Sequence, residues 1–171
     1  MFDAAVDASL PKPQFYEELL SMSEGLLSMS RDMIVNLSQV SALLYNALPE
    51  LNWAGFYLVS APEMLKLAPF QGKVACVDIP FSKGVCGAAA RSGVTQCIAD
   101  VHEFPGHIAC DAASRSELVV PLFIDGHVIG VLDLDSPHPG RFDLEDVAGI
   151  EALCQQLVSA TDWHWQFSTQ A

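Results

Sequence analysis

The sequence predicts a single α+β domain built around an antiparallel sheet. Three observations carry that expectation. Two helical apolar stripes come first, a run of short strand-like segments with two turn signals follows, and one amphipathic helix closes the order. Phe15, Leu19, Leu20, Leu26 and Leu27 mark a first helix over about 14–28, after an arm over 1–13 closed by Pro11 and Pro13. Ser30 and Asp32 are candidate starts for the second helix, whose stripe is Met33, Leu37, Val40, Leu44 and Leu48; Pro49 ends it.

The pattern then changes to strands. Residues 53–59 are aromatic and aliphatic and read as a buried strand. Residues 64–68 form its hairpin partner around Ala61-Pro62-Glu63, and Gly72 separates them from a third strand over 74–79. A small-residue helix over 84–91 and a short strand over 95–99 follow. Residues 100–115 show no period and form a loop long enough to carry function. Asp125-Gly126 is a two-residue hairpin signal between strands over 117–124 and 127–135. Asp143 stands where an N-cap belongs, before a helix to about 160 with Val147, Ile150, Leu153, Leu157 and Val158 inward.

The chain has 171 residues, enough for one domain with a proper core. It is 51% hydrophobic and 17% charged, which sets it among globular proteins rather than disordered ones. A net charge of −13 disfavours nucleic acid and anionic membrane surfaces as partners. No apolar run approaches the roughly 20 residues that span a bilayer, and residues 1–10 carry Asp3 and Asp7 but no basic residue. A cytoplasmic location is expected. The five cysteines are too sparse for a secreted disulfide framework.

Cys76, Cys86 and Cys110 share one stretch of chain with Glu117, Asp133 and Asp135. Thiolates attack soft electrophiles such as sulfur, and carboxylic acids deliver protons to a leaving oxygen. If these groups converge, the chemistry they support is thiol redox chemistry on an oxidised sulfur compound. Asp133 and Asp135 are two apart on a strand and so face one side. Cys97 and Cys154 receive no role, and Cys154 falls near the apolar face of the last helix. His102, His107 and Cys110 match no zinc spacing, and no Cys-x-x-Cys pair occurs, so no metal is expected.

Several strings then line up in order and spacing. They are Asn52-Trp53-Ala54-Gly55-Phe56-Tyr57, Pro69-Phe70-Gln71-Gly72, Cys76, and Gly84-Val85-Cys86-Gly87. After them come Asp100-Val101-His102, Gly106-His107-Ile108-Ala109-Cys110-Asp111, Ser114-Arg115-Ser116-Glu117, and Gly130-Val131-Leu132-Asp133-Leu134-Asp135-Ser136. Together these resemble the free methionine-(R)-sulfoxide reductases, a GAF-domain family, over about residues 14–160.

The resemblance implies a GAF domain over 14–162 with a C-terminal tail over 163–171. Its central antiparallel sheet carries the N- and C-terminal helices on one face and the site on the other. It implies free L-methionine-(R)-sulfoxide as substrate, a homodimer, no bound cofactor, and recycling by thioredoxin or an equivalent dithiol. By position, Cys110 matches the nucleophile, Cys76 the main resolving cysteine and Cys86 a second relay towards the surface. Glu117, Asp133 and Asp135 match the acidic site residues, Glu117 and Asp135 as acids and Asp133 towards the substrate. Trp53, with Tyr57 and Phe70, is the apolar wall for the methyl-sulfur end, and the turn amides around Ser116 are candidates for the carboxylate. The rival reading is a GAF module that binds a small ligand or senses redox state without turnover.

One geometric requirement follows. A regular hairpin at Asp125-Gly126 pairs Leu118 with Asp133 and sets Glu117 on the opposite face from both aspartates. Convergence requires a β-bulge, expected at Pro121 or Gly130, where a regular ladder is weakest.

Overall fold

The computed structural model describes residues 6–104 and 112–164. Four helices, α1 (Lys12–Leu27), α2 (Met33–Ala47), α3 (Gly84–Ser92) and α4 (Leu144–Ala160), accompany six strands. The strands are β1 (Trp53–Ala61), β2 (Met64–Gly72), β3 (Asp78–Pro80), β4 (Gln96–Ile98), β5 (Ser116–Ile124) and β6 (His127–Ser136). They form one antiparallel sheet in the order β3-β2-β1-β6-β5-β4.

The helix ends follow local chemistry. Pro11 and Pro13 do not close an arm; they open α1, because a proline's fixed φ and missing N–H suit the first turn. Val6, within the expected arm, is buried against the core. Asp32 caps α2 by accepting from the Val35 amide at 2.9 Å. Asp143 caps α4 and forms a reciprocal box with Asp146, whose carboxylate accepts from the Asp143 amide at 2.9 Å. Asp146 also accepts from the Tyr16 hydroxyl at 2.8 Å and pairs with Lys12 at 2.6 Å, tying α1 to α4.

Strand alternation divides the apolar side chains into two cores. Ala54, Phe56, Leu58, Leu118, Val120, Leu122, Leu132 and Leu134 face α1, α2 and α4. On the opposite face Trp53, Tyr57, Val119 and Val131 pack with Val85, Cys86, Ala89 and Ala90 of α3. The two terminal helices and α2 thus cover one face and leave the other to α3 and the connecting segments.

The expected bulge is present. Leu122 pairs with Gly130, but Phe123 pairs with Val128, so Ile129 is the extra residue beside Gly130. Glu117 therefore stands opposite Asp135, and Asp133 opposite Val119. A second irregularity lies in β2: Gly55 pairs with Phe70 while Tyr57 pairs with Leu67, around Pro69, which has no amide to donate. β2 accordingly runs past residue 68 to Gly72. The expected strand over 74–79 contracts to Asp78–Pro80, because Val74 and Val77 face solvent and residues 73–77 lead back from Gly72 outside the regular ladder to Asp78, opposite Lys66.

At Gly55 a Cβ would lie 2.2 Å from the Phe70 Cβ and 2.8 Å from the Trp53 ring. Gly55→Ala should therefore cost about 1–3 kcal/mol through overpacking, read as a lower urea midpoint at unchanged slope.

Candidate functional site

The free face of the sheet assembles its groups from three adjacent strands. Trp53 of β1 pairs with Asp135 of β6, and Asp135 with Glu117 of β5. Gly55 pairs with Asp133, which sets Asp133 on the same face. Glu117 and Asp133 are each only 6% exposed, whereas Asp135 is half-buried. From α3 above the sheet, the buried Cys86 thiol donates to Glu117 Oε1 at 3.9 Å. One ligand atom each of Cys86, Glu117 and Asp133 lies within 4.8 Å of the others. Gly87 permits this approach of α3, since a Cβ there would lie 2.6 Å from the Pro80 carbonyl oxygen.

Burial dominates the electrostatics. It pushes the Glu117 carboxyl well above its ordinary range, and the neighbouring Asp133 charge pushes it further. Burial also raises Asp133 to about 6, against hydrogen bonds from Cys86 and Glu117 that favour its charged form. Two adjacent carboxylates without water do not both ionise, so they hold one proton between them near neutral pH. Burial and the same two carboxylates raise the Cys86 thiol, which stays protonated. Asp133 Oδ1 is buried with no hydrogen-bond partner and so has acceptor capacity left in the cleft.

Aromatic side chains wall the cleft. Trp53 stacks on Phe70 at 5.2 Å and 14°, and on Tyr57 at 5.8 Å and 22°. The indole Nε1 donates to the Lys73 carbonyl at 3.1 Å, and the Tyr57 hydroxyl donates to the Cys76 carbonyl at 3.1 Å. Cys76 is half-buried and disulfide-bonded; Cys86, Cys97 and Cys154 are free.

Not every expected residue joins this cleft. Strand alternation turns Ser116 to the helix-covered face, where its hydroxyl donates to the His138 carbonyl at 2.7 Å and accepts from the Arg141 amide. The Arg115 amide donates to the Ser136 carbonyl at 2.7 Å and is thereby committed to the neighbouring strand. Cys86 was expected to lead towards the surface but lies inside the acid cluster. Cys154 packs in the helix-side core, and Cys97 is exposed. Cys110 and His107 lie outside the described residues. The sequence reading missed that Cys86 contacts Glu117 and that the two aromatic polar tips reach the chain around Cys76. Helix spacing in α3 and the four-residue separation of Trp53 and Tyr57 were the available signals.

An antiparallel six-stranded sheet with terminal helices on one face and a polar cleft on the other defines a GAF-domain protein, and a family model described as GAF domain matches residues 35–162. The chain is 47% identical to the free methionine-R-sulfoxide reductase of Escherichia coli, over 94% of this chain and 98% of the relative. It is 44% identical to the enzyme of the same name from Saccharomyces cerevisiae, over 88% and 87% of the two chains. The solved free methionine-R-sulfoxide reductase of Neisseria meningitidis, in complex with its substrate, superposes with a TM-score of 0.84 at 44% identity, over 90% and 92%. The chain belongs to the free methionine-R-sulfoxide reductase family of GAF-domain proteins.

The raised Asp133 carboxyl has a consequence for stability. It titrates near 6 when folded and near ~4 when unfolded, so the folded chain binds more protons between those values. Its favourable contribution is complete below about pH 4 and is lost as pH rises through 6. Asp133→Asn should therefore become more stable relative to the parent between pH 4 and 7. Urea midpoints across that range check this, and parallel curves for the two proteins would refute it.

Proposed function

We propose that this protein reduces free L-methionine-(R)-sulfoxide to L-methionine with thiol reducing equivalents. The observation that carries the reading is the buried Cys86–Glu117–Asp133 cluster, which holds a proton beneath a stacked aromatic wall. A sulfoxide needs that pairing: an apolar surface for its methyl-sulfur end, and an acid for an oxygen that leaves poorly.

The Cys110 thiolate attacks the sulfoxide sulfur while Glu117 delivers its proton to the oxygen. In the resulting adduct the protonated oxygen passes to the Cys110 sulfur as the new S–S bond and the substrate S–O bond break, so methionine leaves and Cys110 remains as a sulfenic acid. The Cys76 thiol then attacks that sulfur; an S–S bond forms and the hydroxyl departs as water. The family resemblance supports Cys110 as the partner of Cys76, which is disulfide-bonded. An external dithiol of the thioredoxin kind reduces the Cys76–Cys110 bridge by exchange, with no bound cofactor. Asp135, half-buried at the rim, suits the substrate ammonium or a second proton transfer. Cys86 serves first as a hydrogen-bond donor to Glu117, and a relay role requires its thiol to leave the cluster. The family resemblance supports a homodimer, and the free thiols fit a reducing, cytoplasmic setting.

The test supplies the R and S epimers separately with excess dithiothreitol and quantifies methionine. Reduction of the R epimer alone is expected; no methionine from either would leave a binding or redox-sensing module. Cys110→Ser should abolish turnover. Cys76→Ser should still release about one methionine per chain, because attack precedes resolution. Glu117→Gln should slow single-turnover release by about 10²-fold or more, and an unchanged rate would remove the acid assignment.

A further inference from the structure

We propose that the Tyr57 hydroxyl is a positioning group for the resolving half-reaction, holding the backbone at Cys76 so that its thiol meets the sulfenic acid. The proposal rests on the reading of Cys76 as the resolving cysteine.

Trp53 and Tyr57 are four residues apart on β1 and point to the same face. Their stacked rings rise from the sheet and end in two donors. These donors reach carbonyls three residues apart in the segment over 73–77: Trp53 Nε1 to Lys73, and Tyr57 Oη to Cys76, each at 3.1 Å. This segment is not a strand: Val74 is 90% and Val77 59% exposed, while Ala75 and Cys76 pack against the second core and the Val77 carbonyl accepts from the Leu67 amide at 2.8 Å. Tyr57 is by contrast 2% exposed and fixed in the second core. A rigid, buried ring thus adds a hydrogen bond at Cys76 itself to the contacts that place this partly exposed segment. Burial and the charges of Asp133, Cys86, Asp135 and Glu117 raise the phenol, so it remains an O–H donor throughout the working pH range.

The geometry separates the two half-reactions. Sulfoxide attack requires the aromatic ring as a wall, which phenylalanine supplies equally well. Resolution requires Cys76 Sγ to approach the Cys110 sulfenic sulfur, with one S–S bond formed, one S–O bond broken and water released. Only that second step depends on where the Cys76 backbone sits.

The experiment compares reduced wild type with Tyr57→Phe in a single turnover, following methionine release and loss of the Cys76 thiol by quenched mass spectrometry. A parallel arm uses hydrogen peroxide, which oxidises the nucleophilic thiolate to the same sulfenic acid without the sulfoxide. Expected is Cys76 disulfide formation about five- to tenfold slower in both arms, the scale of one lost hydrogen bond; the peroxide arm reads this without any contribution from substrate binding. The longer-lived sulfenic acid should become trappable by dimedone. A Tyr57→Phe disulfide rate equal to that of wild type in both arms overturns the proposal. So does slowed methionine release with normal resolution in the peroxide arm, which would assign the hydroxyl to the substrate. Wild type that forms the disulfide with peroxide but yields no methionine refutes the proposed function instead, and the peroxide arm then decides the Tyr57 proposal alone.

Discussion

The bulge at Ile129 governs both faces of this sheet, because one extra residue in β6 decides which way every side chain of β5 above it points relative to β6. With it, Leu118, Val120 and Leu122 enter the core beneath the helices, and Glu117 and Val119 face α3. Without it, Glu117 would share a face with Leu132 and Leu134, and a carboxylate would enter the larger apolar core. The hydrophobic demand of that core therefore fixes the register. Convergence of Glu117 with Asp133 and Asp135 is the consequence of the same register on the other face. Gly130 sits beside the bulge where β6 meets β1 so closely that a Cβ would lie 2.5 Å from the Tyr57 carbonyl oxygen.

Once assembled, the carboxylates derive their chemistry from exclusion of water. A solvated Glu–Asp pair ionises fully near neutral pH and has no proton to give. Here both are buried and adjacent, so ionising the second costs more than keeping it protonated, and an acid persists at a pH where exposed carboxylates are spent. Cys86 strengthens this arrangement as a thiol that donates towards Glu117. The same surroundings make Cys86 a poor nucleophile, since the thiolate it would need is disfavoured by burial and by two neighbouring carboxylates.

Much of this was legible from residue patterns. The helical stripes, the Asp32 and Asp143 caps and the Asp125-Gly126 hairpin depend on neighbours within a few residues, where period and turn chemistry speak directly. The need for a bulge was legible too, as a conflict between hairpin parity and the convergence that the resemblance implied. The contraction of the third strand was not, because exposure of Val74 and Val77 is decided by where the sheet ends. Pro11 and Pro13 were misread because proline both closes extended arms and opens helices; the buried Phe15 and Tyr16 behind them favour the helix. The direction of the Ser116 hydroxyl was not legible either, for a tertiary reason. Its strand begins one residue earlier than expected, and alternation carries its hydroxyl to His138 and Arg141 on the covered side.

The aromatic wall binds these strands of argument together. A cleft for a small sulfur compound needs flat apolar surface, which stacked rings provide at low entropic cost because few torsions must be fixed. A buried tyrosine or tryptophan also carries a polar tip that requires a partner, and here both partners are carbonyls of one connecting segment. The wall that faces the substrate is thereby connected to the chain that carries Cys76. In the cycle proposed above, a stiff wall keeps that chain in place, so the resolving thiol does not have to be found by a conformational search after methionine leaves. Without these two hydrogen bonds the chain at Cys76 would sample more positions, and the sulfenic acid would stay open longer to further oxidation, whose next rung is not reversed by a thiol. In that cycle the polar tips of the wall act on the timing of the second step, and its flat faces on the first.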